Sequence, residues 1–216
     1  MWHELWIAFP SLLRGLAVTL ELSAVVIILG SVIGYLGGLS LEYGPKLLRA
    51  GVRAYVDTVR GIPVLVLLFT VFYGLPILGV QIAAFGAGVV ALSIFAGAHM
   101  TEVVRGGIAS IARTQSDAAK AIGLGFWDRL RWVILPQAVR RIIPPWVNTA
   151  VELVKGSSLV SLIGVVELLL ATQQVVGRTF LVIPTYTLAG LMYFLVNYGT
   201  SRLGTLLERR YAFLRY

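Results

Sequence analysis

The chain has no cysteine and only two histidines, His3 and His99. Without thiols it can form no disulfide, no thiolate zinc site and no cysteine nucleophile. The histidines lie far apart and lack clustered carboxylates around them, so no metal site is expected. No nucleophile constellation occurs either, and no catalytic residue is assigned. A G-x-x-x-x-G-K-[ST] phosphate loop is also missing, which removes the backbone cradle and lysine that hold nucleotide phosphates. Charge is scarce as well, at 13% of residues, with 10 acidic side chains against 18 basic ones.

What fills the sequence instead is apolar: 58% of 216 residues are hydrophobic, and the mean hydropathy is +0.86. A soluble domain of this length could not hide so much apolar surface, because much of its exterior must face water however well its core packs. The chain therefore belongs in a bilayer. Apolar runs at residues 16–41, 62–78, 82–104, 142–170 and 183–203 predict an all-α polytopic membrane protein with five transmembrane helices. Residues 1–14, with Trp2, Trp6 and Phe9 at helical spacing and Pro10 closing the segment, predict an interfacial helix. The membrane domain then covers residues 15–206, and residues 207–216 form a basic tail. Gly30, Gly34 and Gly38, and separately Ser93, Gly97 and Thr101, place small residues at four-residue intervals, which lets a neighbouring backbone approach closely.

The basic residues are not scattered. Four lie in residues 42–61, seven in residues 105–141 and four from Arg202 onward, so fifteen of eighteen share one side of a five-span chain. Cytoplasmic loops accumulate Lys and Arg, which predicts an outside N-terminus and a cytoplasmic C-terminus. Topology thus accounts for the excess that would otherwise suggest nucleic acid, and no nucleic-acid partner is expected.

Residues 105–141 are too polar for lipid. Within them, residues 116–138 read as two short helical pieces separated by Gly123 and Gly125, both candidates for positive φ. Thr114 or Ser116 is the candidate N-cap, Asp117 favours the helix's first turn, and Ala118, Ala119 and Ala121 keep the helix slim. Phe126, Trp127, Leu130 and Trp132 are candidate apolar anchors, and Leu135-Pro136 begins the return to the membrane. Two readings remain open on pattern alone: a protrusion that docks into a partner's cleft, and an amphipathic loop lying on headgroups.

The register Asp117-Ala118-Ala119, Gly123, Val133, Leu135-Pro136 resembles the EAA loop of ABC importer permeases, with Asp for the usual Glu and Val for the usual Ile. Arg60-Gly-Ile-Pro, Phe72-Tyr-Gly-Leu-Pro and Glu102-Val-Val-Arg-Gly-Gly-Ile are similar to the histidine, glutamine and arginine permease branch. The resemblance implies an ABC type I importer transmembrane domain in a bacterial inner membrane, the permease subunit of a polar amino-acid importer. It implies three kinds of protein partner: a separate ATPase that binds ATP and Mg, a second permease copy or a related chain, and an extracytoplasmic amino-acid-binding protein. Asp117, Ala118, Ala119, Gly123, Leu135 and Pro136 would then form the ATPase-coupling element.

Ionisable groups at membrane depth are costly and usually face a partner or a wet cavity. Glu21 and Glu167 lie near segment ends, where snorkelling or capping explains them; Glu102 precedes Arg105 by three residues, a helix pair. Deeper in the fourth run, Asn148, Thr149, Glu152, Lys155, Ser157 and Ser158 form a polar stripe, read either as a substrate pathway or as a self-satisfied ion pair with back-bonded serines. Related permeases usually read Lys-Asp-Thr-Ser-Leu at this point, whereas here Gly156 replaces the acid, which makes a strongly cationic substrate less attractive. The rival function is a proton-coupled secondary transporter that titrates Glu102 or Glu152.

Overall fold

The structure, a computed structural model, describes residues 2–212; Met1 and the last four residues of the expected tail lie outside it. Every regular element among the described residues is helical. The first, α1 (Trp2–Tyr43), runs 42 residues without a break, so Pro10 does not close a separate N-terminal segment. Proline removes one helical hydrogen bond, yet the helix continues through Pro10, with Leu5 and Leu12 buried on either side of it. At about 1.5 Å per residue, α1 rises about 63 Å, twice the thickness of a bilayer's hydrocarbon core.

The stretch read as the first cytoplasmic loop is a helix, α2 (Lys46–Gly61), and it joins α3 (Val64–Ile77) through a 106° bend at Ile62 and Pro63. Lys46, Arg49, Arg53 and Arg60 lie on its exposed side, while Val56 and Val59 are buried. Charge-rich composition hid a helix whose apolar face is narrow. Next come α4 (Ala84–Ala109), the short α5 (Arg113–Ala121) and α6 (Phe126–Arg129), one π-helical turn (Leu130–Ile134) and α7 (Leu135–Gly156).

The fourth apolar run is not one helix. After Gly156 the chain tightens into a 3-10 stretch (Ser157–Ile163), turns through Gly164 at φ +86°, and resumes as α8 (Leu168–Thr179) at 53° to what precedes it. The hydroxyls of Ser157, Ser158 and Ser161 each donate to a carbonyl three residues back, a local alternative to the α-helical ladder. The last helix, α9 (Val182–Ala212), completes the fold.

Neighbouring residues fix the directions. Gly30 meets Ala96, Gly34 meets Met100 and Gly38 meets Val104, so α1 and α4 run parallel. Gly107 against Ile142 and Gly88 against Val160 set α7 and the 3-10 stretch antiparallel to α4. Gly15 against Ala171 does the same for α8 on α1, and Gly204 on Val147 with Tyr193 on Glu167 does so for α9 on α7 and α8. Thus α1, α4 and α9 point one way and α7 with α8 returns. By length and composition α1 and α4 can each cross a membrane, and each of two bent paths, α2 with α3 and α6 through α8, can supply one more crossing. The fifth expected span, α9, is long enough at 31 residues, but Tyr, Thr and Asn interrupt its apolar face and keep it out of that set.

The core lies between α1 and α4, where Leu22, Val26, Leu92, Ala96 and Met100 are buried together with Leu68 of α3 and Val160 of the 3-10 stretch. Both expected small-residue stripes are found at contacts. A Cβ on Gly30 would come within 2.5 Å of the Ala96 Cβ, and one on Gly34 would collide with Met100 backbone as well as side chain. Replacing Gly34 with Val should therefore destabilise the fold by about 2 kcal/mol, the usual cost of overpacking. Gly51→Ala on α2, where nothing lies within 4 Å, is the matched control. Thermal unfolding of the purified protein in one detergent should show a lowered midpoint for the first variant only.

Candidate functional site

Two regions concentrate polar chemistry. The first spans α5 to the start of α7. Helix α5 begins at Arg113 behind an Ala112 cap that offers no side-chain hydrogen bond, so neither Thr114 nor Ser116 is the N-cap. Asp117 accordingly sits mid-helix, where its carboxylate pairs with Lys120 at 3.1 Å on an exposed face. Ala118 is exposed beside it and Ala119 is buried against the fold. The helix ends as expected at Gly123, whose φ of +85° closes a Schellman turn: Gly123 N–H donates to the Lys120 carbonyl at 2.9 Å and Leu124 N–H to the Ala119 carbonyl at 3.1 Å. Gly125 plays a different part from the one its pattern suggested. Its φ is −63° and it is the extended cap of α6, so only one of the two glycines needs the left-handed region.

This unit is fastened to the spans by a small core. Leu130, Ile134 and Ala138 are buried against Val104 and Ile108 at the end of α4. Phe126 packs edge-on against Tyr43 at the end of α1, with ring centroids 5.3 Å apart. Arg141 donates to the Ser110 carbonyl, and Gln137 reaches Gln115 at 3.3 Å. Of the four expected anchors, Leu130 alone is buried. Trp127 and Trp132 are 75% and 66% exposed, and their ring contacts are to near neighbours in sequence, Trp127 edge-on to Phe126 and Trp132 beneath the Arg131 guanidinium. Leu135 and Pro136 open α7, where a proline in the first turn loses no helical bond.

The second region is a face of α7. Asn148, Glu152 and Lys155 recur at helical spacing and are all exposed in the single chain. Glu152 and Lys155 form no ion pair with each other or with any other described residue. Half of the self-satisfied reading therefore fails, and the other half stands. Thr149 donates to the Pro145 carbonyl, buried Ser157 to Val154 and Ser158 to Lys155, so these three hydroxyls are spent within their own helix. The six pathway candidates split accordingly into three outward-facing groups and three inward-bonded ones.

Two further carboxylates, Glu102 and Glu167, are structural. Glu102 does pair with Arg105 at 2.7 Å, and it also binds Arg53 of α2 at 2.7 Å, a partner 49 residues away that spacing could not reveal. Glu167 caps α8 by accepting from Leu170 N–H at 2.9 Å, but it is fully buried, and snorkelling does not describe it. Tyr193 of α9 donates to it at 2.7 Å and Thr19 of α1 approaches at 3.3 Å, so one carboxylate joins three elements around the broken segment. The signal in the sequence was Thr19, Glu167 and Tyr193 standing in apolar runs, but nothing in it said that they meet. His99 is bonded to the Phe95 carbonyl at 3.0 Å within its own helix.

Residues 30–213 match the family model described as the binding-protein-dependent transport system inner membrane component. The probable amino-acid ABC transporter permease protein YckA of Bacillus subtilis (strain 168) is 34% identical over 95% of this chain and 91% of its own. The glutamine transport system permease protein GlnP of Escherichia coli (strain K12) is 32% identical over 97% of this chain and 96% of its own. A crystal structure of an amino acid ABC transporter with histidines superposes with a TM-score of 0.87 at 32% identity, covering 94% of each chain. A family model that spans both polar regions, together with full-length relatives, makes this chain a member of the binding-protein-dependent transport system inner membrane components, the permeases of ABC importers.

Proposed function

We propose that this chain is the permease subunit of an ATP-driven polar amino-acid importer, working with an ATPase that binds ATP and Mg, a second permease chain, and an amino-acid-binding protein on the outer side. The observation that carries this reading is the Schellman-closed helix α5, which presents Asp117 and Ala118 outward while its base is packed on the ends of α1 and α4. A rigid knob of this kind can enter a cleft of an ATPase and pass on its movement. ATP acts on the permease only through different affinities for its two access states, so this connection must not be slack.

The exposed stripe on α7 supports the pathway. A charged side chain facing hydrocarbon costs about 3 kcal/mol even by the lowest scales, so Glu152 and Lys155 together call for a polar neighbour. A second permease face enclosing a wet route supplies one. Any amino acid carries an ammonium and a carboxylate, for which Glu152 and Lys155 are acceptor and donor. The missing acid at Gly156 favours neutral or acidic side chains over basic ones. The proton-coupled alternative loses one of its two carriers, because Glu102 is clamped by two guanidiniums.

Three outcomes are expected. Reporters fused to the termini should place Met1 outside and Tyr216 in the cytoplasm; both ends in one compartment would end the five-crossing reading. Gly123→Glu should break the turn by denying positive φ and by adding bulk at the knob, with ATPase co-purification and uptake falling together while membrane insertion stays normal. Glu152→Gln should lower uptake about tenfold, the loss of one charge-assisted hydrogen bond, in vesicles driven by ATP and indifferent to a proton gradient. Because Glu152 has no ion-pair partner among the described residues, thermal stability should stay within about 1 kcal/mol of the parent. Unchanged uptake would remove Glu152 from the route.

A further inference from the structure

Behind α5 lies a polar pocket of about 250 Å³, where the ends of α1 and α4 meet the coupling element. Arg113, Arg129, Ser116, Tyr43 and Glu42 supply its polar lining. Neither arginine has a carboxylate within 4 Å among the described residues, and the Ser116 hydroxyl has no partner there. Arg129 does lie 5.8 Å over the Phe126 ring, a contact that positions its guanidinium without neutralising it. The first turn of α5, uncapped by any side chain, opens on the same space at Ala112 and Arg113. Against these stands one acid, Glu42, whose charge is also felt by Arg105. Two guanidiniums and one carboxylate leave the pocket a net positive charge.

We propose that this pocket binds a phosphate oxyanion and that the phosphate belongs to the headgroup of an anionic phospholipid in the cytoplasmic leaflet. Guanidiniums match phosphate geometry with paired N–H donors, and Ser116 adds a hydroxyl. The volume admits a headgroup phosphate and not a whole lipid, so the acyl chains stay in the bilayer beside the helices. Depth is the second argument. The pocket sits at the ends of α1 and α4, close to where the apolar runs 16–41 and 82–104 give way to charged sequence, and basic pockets between helices at the cytoplasmic face are typical sites for anionic headgroups. The assignment to that leaflet rests on the orientation proposed above. A bound phosphate would tie Arg113 of α5 to Arg129 of α6 and brace the coupling element against the spans.

The test uses the assembled transporter in nanodiscs of phosphatidylcholine with a minor fraction of phosphatidylglycerol, with native mass spectrometry after gentle delipidation. The wild-type complex should retain phosphatidylglycerol, and Arg113→Gln with Arg129→Gln should lower retention by about tenfold for each guanidinium lost. Lys46→Gln with Arg49→Gln removes two charges from α2 outside the pocket and should leave retention intact; an equal loss from this pair would reduce the effect to general surface charge and overturn the site. Protection of the pocket by inorganic phosphate in pure phosphatidylcholine, with no preference for phosphatidylglycerol, would keep the oxyanion site and overturn the lipid as its source. Unchanged lipid retention with loss of the ATPase from the double variant would show that a partner's acidic group fills the pocket, and would overturn the proposal. Should the terminal reporters reverse the orientation, phosphate binding by the detergent-solubilised complex would still decide whether the pocket is a site, separately from which leaflet it faces.

Discussion

The close approach of α1 and α4 is the constraint on which the other elements depend. Gly30, Gly34 and Gly38 remove side chains from one face so that backbone lies near backbone, and within a membrane this packing must do what water expulsion does elsewhere. Since the two helices run parallel, their ends come together at the same level. One shared platform results, and the segment from α5 to the start of α7 is built on it through Val104, Ile108 and Tyr43. An antiparallel pair would have put those ends on opposite sides of the bilayer and left α5 with a single support.

The second demand is that polar groups within an apolar fold find partners. The 3-10 stretch and the Gly164 turn break the helical ladder at depth, and hydroxyls of Ser157, Ser158 and Ser161 with the carboxylate of Glu167 take up groups near the break. Among the described residues, Glu167 has no ion-pair partner. Its stabilisation comes from Tyr193, the Leu170 amide and Thr19, whose hydroxyl is shared with the Gly15 carbonyl. Asn148, Glu152 and Lys155 are treated in the opposite way, turned outward with no partner among the described residues. The fold thus separates polar residues that complete its structure from those left for other molecules.

Much of this was legible in the residues and some was not, for reasons that differ by element. The small-residue stripes, the turn at Gly123 and the pair Glu102–Arg105 are local patterns, and local spacing carries them. Helix α2 was hidden because its charges read as loop, although they lie along one exposed side. The break after Gly156 was hidden because serines in an apolar run do not announce whether they bond back or terminate a helix. Phe126, Trp127 and Trp132 looked like one anchor set, yet two of them face outward. Arg53 on Glu102 and Tyr193 on Glu167 are contacts across the fold, and a single sequence holds no register between distant helices.

Helix α4 touches both working regions. Near one end, Gly107 meets Ile142 and Ile108 belongs to the core beneath the coupling element; toward the other, Gly88 meets Val160 of the 3-10 stretch. The nineteen residue steps from Gly88 to Gly107 span about 28 Å of rigid helix. Such a rod is a lever with a short handle: a tilt of about 5° imposed at one end displaces the other by about 2.5 Å, roughly half a helical turn. If a partner rocks the proposed coupling element through a small angle, a rigid α4 would shift the interrupted segment by a distance comparable to a side chain's width, without any helix having to melt or slide.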